Sequence, residues 1–296
     1  MTNEPVVNVE GRELKLTNLD KVLWPDLGVT KAEVIKYYAE VGRYMVAFIR
    51  DRPIMVQRYP HGIKGGFFVQ KHFPATPSWI KTFNLKGEHV LCNDLPTLVW
   101  LANLAAIEIN HMLSRAPHFR WHDLILIDLD PHHPATFAEA RVVARGMAAL
   151  LQRMSLRFLV KTSGADGIHF LIPIRPRYNV EQIRRFVYAL GKLVEKADPA
   201  LATVSTRRDR KRGRVYIDFL QNGLEKTITA PLSIRALPGA PVSYPLSLKQ
   251  LGNSRLEPTA FTLRKVPRKA DTLNRMLRLS QLSQNLEPAF EKLGIN

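Results

Sequence analysis

Apolar and polar positions change period several times along the chain, and each change marks an element. Residues 5–16 alternate loosely around Gly11, which predicts a small hairpin. From Thr30 the period lengthens. Val34, Tyr37, Tyr38 and Val41 recur at helical spacing, behind Thr30 as N-cap and Glu33 as its capping-box partner. Residues 54–59 read as a short strand feeding a loop with Pro60, Gly62, Gly65 and Gly66, which ends in Phe67-Phe68. The strongly apolar stretch 95–113 predicts a centrally packed helix.

Beyond it the periods follow one another in a recognisable order. An Ile/Leu-rich strand at 124–130 leads to a helix at about 136–154, opened by Thr136 and Glu139 and apolar at Val142, Val143, Met147, Leu150 and Leu151. Strands at 157–161 and 168–174 flank the turn Thr162-Ser163-Gly164-Ala165-Asp166-Gly167. A helix at 180–196 and a strand at 214–220 complete the set. The sum is β-α-β-β-α-β, an α+β class of ferredoxin-like topology. In it the first and third strands are central, the fourth lies beside the first, and both helices share one face.

A chain of 296 residues, 46% of them apolar, is long enough for a full core. The expected organisation is one unit, 1–296, with an N-terminal elaboration at 1–120, a core at 121–240 and a C-terminal helical extension at 241–296. A formal charge of +17 implies a polyanionic partner, nucleic acid or an anionic membrane surface. Pro96 and Asn103 break the most apolar window, so a bilayer span is not expected. No leader-like segment opens the sequence, which points to a cytoplasmic location. The single Cys92 rules out an internal disulfide and a cysteine-based zinc cluster.

The candidate chemistry starts where carboxylates interrupt the 124–130 strand. Asp128 and Asp130 point to the same side, roughly 6–7 Å apart along the strand. In the predicted topology Asp218 arrives beside them, one strand spacing of about 4.8 Å away. Three acids on neighbouring buried strands repel one another, and divalent cations would offset that repulsion. Two hard cations about 3.5–4 Å apart serve in-line phosphoryl chemistry in polymerases and nucleases. A polymerase must also hold a triphosphate. Ser163-Gly164 and His169, with Gln221, Asn222, Lys226 and Arg235, offer donors for it. Elsewhere Lys21 and Lys31 flank the Trp24-Pro25 turn, where a phosphate could be held. Phe67 and Phe68, beside Lys64, Lys71 and His72, have the composition of a base-stacking loop.

These motifs, in this order, resemble the archaeo-eukaryotic primase superfamily, and most closely the polymerase (primase-polymerase) domain of bacterial DNA ligase D and its stand-alone end-joining relatives. The resemblance runs through residues 16–25, Thr30-Lys31, Phe67-Phe68 with Gln70-Lys71, Asp128-Leu129-Asp130-Pro131, Thr162-Ser163-Gly164 to Gly167-Ile168-His169, and Ile217-Asp218-Phe219-Leu220-Gln221-Asn222 to Ala230-Pro231 and Arg235. It implies a template-directed nucleotidyltransferase that uses Mn2+ or Mg2+ at a two-metal site and takes NTP or dNTP substrates, with ribonucleotides favoured. It would act on broken or gapped DNA ends and recognise a downstream 5′-phosphate.

By the same resemblance Asp128, Asp130 and Asp218 are the metal ligands. Arg58, Asn110, Ser163, Gly164, His169, Gln221, Lys226 and Arg235 are the nucleotide contacts. Lys21, Lys31, Phe67, Phe68, Lys71, Arg207 and Arg208 are the DNA contacts. The chain departs from its relatives where Asn110-His111 follows Glu-Ile, where Asp166 replaces a common lysine, and where Gln57 replaces a frequent cation. No ligase nucleophile motif is present, so the expected partners are an end-binding protein and a ligase or nuclease on separate chains or on removed domains. A nucleoid-associated monomer in a prokaryote is the expected setting. The competing classes are a metal-dependent nuclease and a non-catalytic DNA-end-binding module.

Overall fold

The computed structural model describes residues 4–267 and 271–295. Strands β1 (Val6–Val9) and β2 (Arg12–Lys15) form the expected hairpin, and β3 (Val22–Trp24) pairs with β4 (Val29–Thr30). Helix α1 (Lys31–Ile49) starts at Thr30 with the complete capping box. Thr30 Oγ1 accepts from the Glu33 amide at 3.3 Å, and Glu33 Oε2 accepts from the Thr30 amide at 3.2 Å. Then come β5 (Ile54–Arg58), β6 (Phe68–Gln70) and a second hairpin, β7 (Thr82–Asn84) with β8 (Glu88–Val90).

The predicted helix at 95–113 is corrected to two elements. Helix α2 (Leu95–Asn103) is capped by Asp94, whose Oδ1 accepts from the Thr97 amide at 2.8 Å, and it ends before Ala105, which adopts φ +57°. The remainder is strand β9 (Ala106–Met112), buried at every position. A strand covered on both faces presents an unbroken apolar run, which periodicity does not separate from a buried helix. Backbone pairing decides the matter, because β9 lies between β5 and β15 (Thr227–Thr229) in a four-stranded sheet ordered β15-β9-β5-β6.

The second sheet carries the predicted core. It contains β10 (Leu124–Pro131), β11 (Leu159–Thr162), β12 (Ile168–Pro173) and β14 (Val215–Asp218), with α3 (Phe137–Arg153) and α4 (Val180–Ala197) between them in sequence. Strands β13 (Ala202–Thr203) and β16 (Pro245–Leu246) extend its edges, giving the order β13-β14-β10-β12-β11-β16. The four core strands therefore stand in the ferredoxin-like order, with the fourth beside the first. Gly191 explains how close α4 lies: a Cβ there would meet Val204 Cγ1 at 2.4 Å and Ile217 Cγ2 at 3.3 Å. Since side chains alternate along β14, Ile217 faces the helices and Asp218 faces the other way. The two sheets are joined by Arg52, which donates to both oxygens of Asp123 (2.7 and 2.8 Å), an acceptor shared with Arg115. The basic loop at 207–212 holds a short helix, α5 (Arg208–Lys211), and the C-terminal part adds α6 (Leu248–Gly252), α7 (Asp271–Ser280) and α8 (Glu287–Leu293). No described helix is long and apolar enough to cross a membrane.

Candidate active site

Sheet register places the candidate acids in one row. Asp218 on β14 lies opposite Asp128 on β10, Asp128 lies opposite His169 on β12, and His169 lies opposite Lys161 on β11. Four ionisable side chains thus cross four adjacent strands in the interior of the sheet. Asp130 stands two residues from Asp128 on the same face, opposite Tyr216. Burial, then the charge of Asp218, pushes the Asp128 carboxyl up to about 7. Burial, then Asp128 and Asp218, pushes Asp130 up to about 7 as well.

Asp128 Oδ1 is buried and accepts no hydrogen bond; His169 Nε2 is 3.2 Å away, off hydrogen-bonding geometry. A buried carboxylate oxygen without a donor, next to two further acids, fits a hard divalent cation. Among the described residues, however, no three acidic, histidine or cysteine side chains already close around one point. Asp218 is turned aside, its Oδ1 accepting from the Leu220 amide at 2.9 Å and from the Tyr216 hydroxyl at 3.3 Å. Those two hydrogen bonds hold the carboxylate in that orientation.

A cavity of about 520 Å³ opens beside the row. Asp130, Ser163, His169 and Gln221 line it from the core sheet and its loops, Met55, Asn110 and Thr229 from the other sheet, and Arg235 from the segment beyond. The Ser163 hydroxyl accepts from the amides of Ala165 (3.1 Å) and Gly167 (3.0 Å), so its own proton is free to point into the cavity. Gly164, at φ +80°, is required by packing: a Cβ would lie 2.6 Å from Arg235 Cγ. Arg235 Nη1 donates to the Ser163 carbonyl at 3.0 Å, and its Nε lies 3.0 Å from Glu108 Oε2. Asn110 is buried, its Oδ1 accepting from Thr229 Oγ1 at 3.2 Å while its Nδ2 has no partner. Asp166 lines the same cavity and is exposed.

Other candidates stand elsewhere. Arg58 is not at this cavity. It donates to the Leu104 carbonyl (2.7 Å) and to Gln70 Oε1 (2.8 Å), and lies 5.0 Å from the ring centre of Phe68. Lys226 is exposed and outside the cavity lining. Asn222, expected as a donor, is buried instead and closes two hydrogen bonds with the Leu126 backbone, at 2.9 and 2.7 Å.

Lys21 and Lys31 are neighbours, joined by a backbone hydrogen bond of 2.8 Å. Lys21 Nζ donates to the Pro60 carbonyl at 2.9 Å, and Lys31 Nζ donates to the carbonyl and hydroxyl of Thr17. Burial, then the charges of Lys21 and Arg58, lowers Lys31 to about 8. Phe67 and Phe68 are 55% and 44% exposed, so neither ring is core; Phe67 stacks on Tyr59 with ring centres 5.2 Å apart. Lys71 is exposed nearby. Arg207 pairs with Asp209 at 3.2 Å, and Arg208 lines a second cavity of about 760 Å³ with His132, His133 and Arg212.

Two residues of the site were not singled out from the sequence. Glu108 lay inside the misassigned helix, so its position on a strand beside Arg235 was hidden. Lys161 stood in plain view as a lone cation between Val160 and Thr162, but only strand pairing reveals that it meets His169.

The family model for the LigD primase-polymerase domain matches residues 30–277. The bifunctional non-homologous end joining protein LigD of Bacillus subtilis (strain 168) is 33% identical over 254 residues, covering 85% of this chain and 41% of that protein. The multifunctional LigD of Mycolicibacterium smegmatis is 28% identical over 261 residues, covering 84% of this chain and 34% of that protein. The chain therefore spans less than half the length of these relatives. The polymerase domain of Mycobacterium tuberculosis ligase D, solved in complex with DNA, superposes with a TM-score of 0.77 at 26% identity over 95% of this chain and 97% of that one.

Proposed function

The chain belongs to the LigD primase-polymerase domain family, and from that premise we propose that it is a metal-dependent, template-directed nucleotidyltransferase acting at broken or gapped DNA ends in end-joining repair. The observation that carries this reading is the row Asp218-Asp128-His169 beside a cavity that His169 and Asp130 line together with Ser163 and Arg235. Asp128, Asp130 and Asp218 would hold divalent cations, Mn2+ or Mg2+, which when bound neutralise phosphate charge and lower the pKa of the attacking hydroxyl. The chain's own donors then orient a triphosphate. The Ser163 hydroxyl, His169 Nε2–H and the Arg235 guanidinium bind phosphate oxygens, and Gln221 and Asn110 border the rest of the nucleotide. Glu108 keeps Arg235 in place and offsets part of its charge.

Template and end recognition would fall to residues outside the cavity lining. Exposed Phe67 and Phe68 offer stacking surfaces worth about 1–3 kcal/mol per base. Lys21, Lys31 and Arg58 form a cation group suited to a terminal phosphate, and Lys71, Arg207 and Arg208 add backbone contacts. Ribonucleotide preference, action as a monomer in the nucleoid, the division at 120 and 240, and cooperation with an end-binding protein and a ligase or nuclease belong to the same proposal.

The test is extension of a labelled primer-template with Mn2+ and single nucleotides. The reading predicts addition of the nucleotide complementary to the template base. Shortened primer would mark a nuclease, and an unchanged primer with a gel shift would mark a non-catalytic end binder.

A further inference from the structure

We propose that Lys161 is a positioning residue for nucleotide binding: it fixes His169 in the tautomer that carries its proton on Nε2 and holds that N–H toward the cavity. The inference rests on the nucleotidyltransferase reading. Lys161 is fully buried, and its Nζ meets Ser243 Oγ at 2.6 Å and His169 Nδ1 at 2.7 Å.

The direction of the protons follows from the neighbours. Ser243 donates its own hydroxyl proton to the Thr162 carbonyl at 2.8 Å, so toward Lys161 it accepts. One N–H of Lys161 is thereby used. At least one more remains, and His169 Nδ1 is the other acceptor within hydrogen-bonding reach of Nζ among the described residues. An ammonium has no lone pair to accept with, and an Nδ1–H donated to a neutral amine would leave that amine's second N–H buried without an acceptor, so Nδ1 accepts in either case and the ring proton sits on Nε2.

The opposite side of the ring agrees. Nε2 faces Asp128 Oδ1 at 3.2 Å, where a bare nitrogen lone pair against a carboxylate oxygen would be repulsive and an N–H is attractive. Were the acids to hold a cation, the Nε2–H would be left to donate to a phosphate oxygen in the cavity His169 lines. Lys161 itself never reaches the nucleotide. It acts along the sheet row, through register, in the way a buried partner fixes the ring of a metal-site or catalytic histidine.

Two measurements test this. Long-range 1H–15N NMR on the histidine-labelled protein reads the tautomer without any substrate. The proposal expects a protonated Nε2 and a bare Nδ1 at His169, and a proton on Nδ1 in the wild type overturns it. This readout is independent of activity, so it separates failure of the proposal from failure of the polymerase reading, in which no nucleotide would be incorporated at all.

The second is a double-mutant cycle on nucleotide KM. Lys161→Met, which keeps the chain length and removes the donor, should raise KM about tenfold with a smaller change in kcat. In a His169→Gln background, whose amide supplies a fixed N–H without a tautomer, the same substitution should change KM less than about twofold. Equal effects in both backgrounds would make Lys161 a structural residue only. Should Lys161→Met not fold, the wild-type tautomer still decides.

Discussion

The sheet row, which sets Asp128 against Asp218, and the N-terminal cation group both crowd like charges, yet they are built in opposite ways. In the row, Asp218, Asp128, His169 and Lys161 stand on four adjacent strands, so backbone register sets their spacing. In the cation group, Lys21, Lys31 and Arg58 come from a strand start, a helix start and a strand end. Their side chains are tied to carbonyls of Pro60, Thr17 and Leu104. Register fixes the backbone spacing of the acids, so side-chain rotation, protons or a cation must relieve their repulsion; burial, and then that repulsion, raises two carboxyls to about 7. Flexible lysine stems relieve it by bending toward backbone oxygens. Under the proposed function, the contrast suits reacting groups that must not move and a recognition surface that must accept varied ends.

The largest effect expected from breaking the row is on catalysis. Asp218→Ala should lower the rate of primer extension by about 1000-fold or more, equivalent to about 4 kcal/mol of barrier. DNA binding by gel shift should stay close to wild type, since the substitution removes repulsion along with a ligand. Rates within tenfold of wild type would take Asp218 out of the site.

Breaking the cation group should instead leave chemistry intact. Wild type should prefer a gapped duplex with a downstream 5′-phosphate over one with a 5′-hydroxyl by about tenfold, or about 1.4 kcal/mol, because a terminal phosphate carries more charge than an internal one. In the Lys21→Ala/Lys31→Ala double variant the ratio should approach one, while extension on a simple primer-template survives. Lys31 is charged below about 8 and neutral above it. The wild-type preference should therefore shrink between pH 7 and pH 9, read as a ratio of dissociation constants at fixed salt. A ratio unchanged across that range would mean that Lys31 does not touch the phosphate.

The strain stored in the row should be visible without substrate. Between about pH 4 and 7 the folded protein keeps protons on Asp128 and Asp130 that the unfolded chain has released, so metal-free stability falls as pH rises through that window. Asp128→Asn removes one of the repelling charges. It should raise the melting temperature by a few degrees at pH 7.5 without metal and by almost nothing at pH 4, as differential scanning calorimetry would record. A smaller effect is expected at the rim of the cavity, where exposed Asp166 opposes a triphosphate. Asp166→Lys should lower nucleotide KM about threefold with kcat unchanged.

The two regions were not equally legible in the sequence. Acids at the end of an Ile/Leu-rich strand, with a third acid on a strand whose neighbour the topology dictates, are readable because alternation and strand order are local rules. Thr30 and Thr136 announced their helices through the side-chain pattern of a capping box. The 95–113 stretch failed for a physical reason, since β9 is buried on both faces and shows no period. With it went Glu108, the partner of Arg235. The splaying of Asp218 and the tethering of Lys21 and Lys31 to backbone oxygens depend on tertiary packing that no spacing encodes. Lys161 was legible as an oddity, a cation in an apolar strand, but its meaning lies in the residue opposite.

The most direct test of the account is Mn2+ binding read by electron paramagnetic resonance, in which free Mn2+ gives a signal that bound ion loses. Titrated with Mn2+ at pH 8, the wild-type protein should take up the ion, with affinity falling as pH drops through 7, where Asp128 and Asp130 acquire protons. The Asp128→Ala, Asp130→Ala and Asp218→Ala variants should each lose most of that uptake. Equal uptake by the three variants and the wild type would show that the acids do not share a cation, and would contradict the account at its centre.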